Sequence, residues 1–237
     1  MAYDLTKVQR IDLIKSKPSQ MIPFDYQQNA VKKLNNHYND DNHREDLGWK
    51  PGLLVMPTGS GKTATTVWWM MKDMVKAGYK VLWLSHRTEL LEQAAKTMID
   101  LAPYAYDNSG SKVKQKLQLR CNSGKHMKMS TAAFKQDDII LASIQTIARN
   151  HQYLKFILKG VDGSRLLVVI DEAHHTPMPS YYDLLRKIRQ IAPGFKLLGL
   201  TATPTRMNVS ELKLFNRIYD SQLIEQIPMS RLISSGM

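Results

Sequence analysis

Residues 53–63 read L-L-V-M-P-T-G-S-G-K-T, an apolar run that ends in a glycine turn and opens a helical pattern. Gly59 and Gly61 allow the backbone to curl until successive N–H groups point at phosphate oxygens. A helix starting near Lys62 adds the positive end of its dipole at the same place. Lys62 is placed to reach the β- and γ-phosphates of a nucleotide, and the Thr63 hydroxyl to ligate Mg²⁺. Met56 stands where the strict G-x-x-x-x-G-K-[ST] pattern has its first glycine. The plainer alternative is a chance G-K-T at a turn, and what lies around it decides between the two.

Working outward, Gly52–Met56, Lys80–Ser85, Asp138–Ser143, Leu166–Ile170 and Lys196–Leu200 are short apolar runs rich in Val, Ile and Leu, and read as buried strands. Between them, Thr63–Lys76, Thr88–Leu101 and Ser180–Ile191 carry apolar residues at helical spacing. Strands alternating with helices predict an α/β fold, a mostly parallel sheet with helices on both faces. The polar stretch Asn35–Lys50 reads as a surface loop. Residues 108–136 hold Lys112, Lys114, Lys116, Arg120, Lys125 and Lys128 and no Asp or Glu. They read as an inserted hairpin or short helix on the sheet edge, or equally as a solvated loop.

A second chemical signal is L-L-V-V-I-D-E-A-H-H at Leu166–His175. An apolar strand delivers Asp171 to its C-terminal edge, where ligands bind in open parallel sheets. Asp171 can hold Mg²⁺ through water, and Glu172 can orient and polarise an attacking water. A cation between two adjacent acids is the economical reading; two exposed acids at a strand–loop junction is the bland one. His174 and His175 lack the i, i+4 spacing of a helical zinc motif, so His174 reads as a relay between the hydrolysis site and neighbouring loops.

Composition sets the outer limits. The chain has 237 residues, 43% hydrophobic and 23% charged, ordinary for a globular protein. Cys121 has no second cysteine to pair with, which fits a reducing cytoplasm and an incidental thiol. There is no secretory signal and no run near the ~20 apolar residues of a membrane span, so no membrane partner is expected. A formal net charge of +12 suits either a polyanion partner or a solubilising surface, and the motifs favour nucleic acid.

M-P-T-G-S-G-K-T, D-E-A-H and L-T-A-T-P-T-R, in this order, resemble motifs I, II and III of superfamily 2 helicases. Trp83–Leu90 (W-L-S-H-R-T-E-L) resembles motif Ia, Leu141–Thr146 (L-A-S-I-Q-T) motif Ib, and Phe24–Val31 (F-D-Y-Q-Q-N-A-V) the adenine-recognising glutamine motif. The resemblance spans roughly residues 22–230. S-H-R-T-E-L, S-I-Q-T and G-L-T-A-T-P-T-R are similar to the motor subunits of type I and type III restriction enzymes and related DNA helicases, more than to RNA-directed DEAD-box proteins.

The resemblance implies a RecA-like ATP-binding domain with ATP and Mg²⁺ as cofactors and DNA, rather than RNA, as partner. It implies that Gln27 reads the adenine edge beside Tyr26, although Phe24 stands where the family often has Arg. Thr58, Gly59, Ser60, Gly61, Lys62 and Thr63 would wrap the phosphates. Thr201 and Thr203 would couple hydrolysis to movement near Asp171 and His174, and Arg87, Ser143, Gln145 and Thr146 would touch one strand's backbone. It further implies an N-terminal extension at 1–21, the ATP-binding domain at 22–230, and at 231–237 the start of a linker to a second RecA-like domain. That second domain would supply arginine fingers, worth ~10³–10⁵ in rate in related NTPases. The chain alone is then expected to bind ATP weakly and turn it over slowly or not at all. Two other classes compete: a nucleotide- and nucleic-acid-binding module without turnover, and a small-molecule kinase, in which T-A-T-P after the fifth strand has no job.

Overall fold

Each central strand is apolar on both faces, and that decides the layering. The computed structural model describes residues 4–16, 21–40, 47–106, 115–122, 135–149, 151–176, 178–202 and 209–230. The elements are β1 (Gln9–Asp12), α1 (Asp25–Asn39), β2 (Trp49–Val55), α2 (Lys62–Trp69) prolonged by a π-helical stretch (Met70–Val75), β3 (Lys80–Ser85) and α3 (Thr88–Leu101). Then come β4 (Lys116–Asn122), β5 (Ile139–Ser143), α4 (Ile144–Arg149), α5 (His151–Ile157), β6 (Leu166–Asp171), α6 (Pro179–Ile191), β7 (Phe195–Thr201), α7 (Val209–Tyr219) and β8 (Leu223–Gln226). The eight strands lie in the order β1-β4-β5-β3-β6-β7-β2-β8. Neighbours pair in parallel except β1 with β4.

Successive strand side chains point to opposite faces. On β3, Val81 and Trp83 join Val67, Met71 and Leu91 from α2 and α3 and their extension in one core. Leu82 and Leu84 join Leu154, Leu185 and Ile218 from α5, α6 and α7 in the other. Each such side chain contributes roughly 1.5–3 kcal/mol on burial, so a register slip in a central strand would misplace apolar groups on both faces. Among the described residues no helix is long and apolar enough to cross a membrane.

Two sequence expectations change. Asn35–Lys50 is not one loop: α1 runs to Asn39 and β2 begins at Trp49. The helix end is polar in composition yet docked, because Asn35 Oδ1 accepts from Trp69 Nε1 at 2.7 Å and Tyr38 donates its hydroxyl to the Leu197 carbonyl at 2.7 Å. Within 108–136, Lys116–Asn122 is neither hairpin nor helix but strand β4, parallel to β5 and one place in from the edge. Its Arg120 is buried because it meets a fully buried Asp137, Nε to Oδ2 at 2.7 Å. A charge enters a core only with such a partner. Cys121 on the same strand is buried, and burial pushes its thiol up to about 12, which leaves it unreactive. Part of the segment before residue 22 joins the sheet as β1.

Candidate nucleotide and nucleic-acid site

The glycine loop follows β2, and its shape depends on left-handed backbone. Gly59 has φ +83° and Gly61 φ +75°, conformations that cost an L side chain ~1–2 kcal/mol. Around Gly59 a Cβ would meet nothing within 4 Å, so the loop opens toward a ligand there. Ser60 is buried and donates its hydroxyl to the Pro57 carbonyl at 2.6 Å, bracing the turn. Thr58 is exposed at the tip, and Lys62 and Thr63 are half-buried at the start of α2.

Lys62 Nζ stands 3.3 Å from Glu172 Oε1, so two residues 110 positions apart meet across the C-terminal ends of β2 and β6. Beside them Asp171 is 3% exposed. Burial pushes its carboxyl up to about 6, with the neighbouring Glu172 adding to the rise, while Lys62 and the Glu172 N–H bond at 3.0 Å pull it down. Glu172 has φ +56°, an uncommon value for a residue with a side chain and a mark of stored strain. His174 Nδ1 lies 3.3 Å from Glu172 Oε2 and 3.2 Å from Thr201 Oγ1. Burial and then the nearby His175 hold His174 below the usual histidine range, so a neutral ring can give its Nδ1 proton to Glu172 or accept one from Thr201.

Gln27 faces the loop from α1. It is 5% exposed, its Oε1 accepts from the Phe24 N–H at 3.0 Å, and its Nε2 donates to the Ser60 carbonyl at 3.3 Å. Tyr26 donates its hydroxyl to the same carbonyl at 3.0 Å and stacks on Phe24, with ring centroids 5.6 Å apart. Both groups tie α1 to the glycine loop.

The family model described as "Type III restriction enzyme, res subunit" matches residues 20–206, most of the chain. The chain belongs to this family. It is similar to the putative ATP-dependent helicase IRC3 of Saccharomyces cerevisiae, 27% identical over 231 residues, which cover 93% of this chain and 29% of that protein. The chain thus spans less than a third of that relative's length. Among solved structures, the Hef helicase domain of Pyrococcus furiosus superposes with TM-score 0.55 at 22% identity, covering 85% of this chain and 37% of that one. The Sulfolobus solfataricus SWI2/SNF2 ATPase core, solved in complex with dsDNA, gives 0.59 at 19%, covering 89% and 38%. The protein is therefore a helicase-type ATP-binding domain of superfamily 2 with a RecA-like sheet, related to restriction-enzyme motor subunits.

In this helicase domain the residues expected to touch nucleic acid gather at the C-terminal ends of β3 and β5. Gln145 is exposed and donates from Nε2 to the His86 carbonyl at 3.3 Å. Ser143 and Thr146 bond through their hydroxyls, and Arg87 projects outward next to His86. Thr203 lies outside the described residues. Two residues beyond the sequence-derived set complete the cluster. His175 lies between His174 and His86, with centroids 4.2 Å from each, so ring contacts run from His174 to His86, whose carbonyl holds Gln145 at the start of α4. His86 and His175 also line an apolar hollow of about 430 Å³ with Ile144, Met178 and Tyr181. The signal for His86 was its place beside Arg87 in S-H-R-T, which sequence alone gave no reason to weigh.

Proposed function

We propose that this chain is the first motor domain of a DNA translocase or helicase and binds MgATP in the cleft where α2 begins and β6 ends. The observation that carries the reading is the approach of Lys62 to Glu172 at 3.3 Å, because a phosphate-binding cation and a water-orienting carboxylate belong on either side of one γ-phosphate. Lys62 neutralises β- and γ-phosphate charge, and Gly59 and Gly61 of the loop offer their N–H groups to the same oxygens, while the Ser60 N–H closes the turn on the Pro57 carbonyl at 3.2 Å.

The residues fit magnesium. Asp171 is a buried carboxylate that accepts the Glu172 N–H at 3.0 Å, and the Thr63 hydroxyl at the head of α2 supplies a second hard oxygen. Bound there, magnesium would neutralise charge on the β- and γ-phosphates. Glu172 orients the attacking water and takes its proton, His174 holds Glu172 and passes its position to Thr201, and Thr203 extends that link. Gln27 and Tyr26 read the adenine edge once their hold on Ser60 is shared with the base. Arg87, Ser143, Gln145 and Thr146 grip the sugar–phosphate backbone without regard to sequence. A second RecA-like domain of the same parent protein closes the cleft and supplies arginine fingers, so residues 22–230 form one half of the motor and this half alone turns ATP over slowly. The family's kinship with restriction-enzyme motors supports DNA over RNA and an intracellular setting.

The test is titration of the purified chain with a fluorescent ATP analogue and Mg²⁺, for wild type and Lys62→Ala, with and without a tailed DNA. Saturable binding weakened at least about 100-fold in the variant is expected, since a charge-assisted contact is worth ~1.5–3 kcal/mol and a second phosphate contact goes with it. Equal affinity in the two proteins would sink the assignment of the phosphate site. A nucleotide affinity untouched by DNA would sink coupling within this domain.

A further inference from the structure

At the opposite end of the sheet from the glycine loop lies a cleft of about 610 Å³. Trp49, the first residue of β2, sits there, and the loop begins after Val55, so the two sites are roughly 20 Å apart along the strand. Trp49 and Tyr182 wall the cleft, meeting edge to face at 6.4 Å, and Trp49 is locked by a bond from Nε1 to the Ile218 carbonyl at 3.0 Å. Three arginines converge on these rings: Arg186 and Arg189 from α6, and Arg217 from α7. Arg217 lies 4.6 Å over the Tyr182 ring. Arg189 lies against Gly48, whose φ of +71° and missing side chain make room for it.

Part of this arrangement serves the fold, because Trp49 is 2% exposed and stacks on Phe195 in the core with Tyr182 packed beside it. Cations at helix C-termini are favourable, which accounts for Arg189 and Arg217 in the last turns of α6 and α7. It does not account for Arg186. Among the described residues no carboxylate pairs with any of the three. The acid on α6, Asp183, lines a different depression. Three guanidiniums lining one cleft give it a positive potential that favours an anion of several charges there.

We propose that this cleft is a second phosphate-binding site, separate from the nucleotide site. Guanidinium forks match phosphate oxygens in pairs, and the half-buried Tyr182 gives a base or ribose an apolar wall. The volume suits a group of mononucleotide size. The phosphates come either from a free polyphosphate or from the backbone of a bound nucleic acid.

The experiment uses the full chain with Lys62→Ala, which silences the glycine loop, and measures tripolyphosphate binding by calorimetry. Binding is expected, and it should weaken at least tenfold when Arg186→Gln, Arg189→Gln and Arg217→Gln are added. A charge-matched control, Lys7→Gln, Lys96→Gln and Lys155→Gln, should stay within twofold, and circular dichroism should show both folded. A 20-nucleotide single strand distinguishes the sources. If its affinity and salt dependence fall with the arginines, the phosphates are backbone phosphates; if only tripolyphosphate binding falls, the ligand is a free polyphosphate. No tripolyphosphate binding, equal loss in the lysine control, or tighter binding of a polyglutamate peptide than of tripolyphosphate each overturns the proposal.

Discussion

At the C-terminal edge of the sheet Lys62 stands 3.3 Å from Glu172, whereas at the N-terminal edge Arg186, Arg189 and Arg217 face one cleft and pair with no carboxylate among the described residues. The first edge is built from backbone under constraint: Gly59, Gly61 and Glu172 all have positive φ, and Asp171 is buried. The second is built from exposed side chains on regular helices. Parallel strands carry helix N-termini to the first edge, so that edge can hold buried anions and phosphates with main-chain groups. The other edge has only side chains to offer. Substitutions should therefore disturb folding at the first edge and leave it untouched at the second.

Gly61→Ala gives the largest effect on stability. The new methyl would lie 2.7 Å from Gln27 Nε2 in a left-handed residue. A loss of roughly 2–3 kcal/mol is expected, from backbone strain and a broken Gln27–Ser60 bond. Urea unfolding measures it, and a loss under about 0.5 kcal/mol would show that the loop is not held this way.

Asp171→Asn should act in the opposite direction, because it removes a charge whose burial costs stability. Its folded pKa of about 6 lies above the unfolded 3.8, so the folded state holds the extra proton between those values. Stability from this group is complete below the unfolded value and lost as pH rises through about 6. At pH 8 the asparagine variant should be more stable, on the order of 2 kcal/mol, with the gain gone near pH 4. Melting curves across that range check it, and a variant less stable than wild type at pH 8 would refute the cost assigned to the buried charge. Nucleotide binding that needs magnesium should weaken in the same protein.

The smallest effect belongs to the arginine cleft. Replacing Arg186, Arg189 and Arg217 together with Gln should change stability by no more than about 0.5 kcal/mol per site, as surface substitutions do. A larger loss in urea would mean that the arginines hold α6 and α7 in place, and the contrast between the two edges would fail.

Much of this was legible in the sequence. Lys80–Ser85 and Thr88–Leu101 coincide with β3 and α3, since each carries one clear periodicity. β4 did not announce itself: K-L-Q-L-R-C-N reads as basic and polar until Asp137, 17 residues later, is seen to neutralise Arg120. β1 and β8 are four residues each, too short for a periodic signal. The π-helical stretch after α2 was equally hidden, because Met70, Met71, Met74 and Val75 suit an α-helical reading as well.

The central strands, the glycine loop and the strand ending in Asp171 were readable in the chain alone, because each is a local pattern that depends on neighbours a few positions away. Tertiary structure alone decided that Lys62 meets Glu172, that His86 joins His174 through His175, and that three arginines from two helices share one cleft. Those meetings depend on strand order and helix packing, which bring distant residues together and leave no periodic trace in the chain.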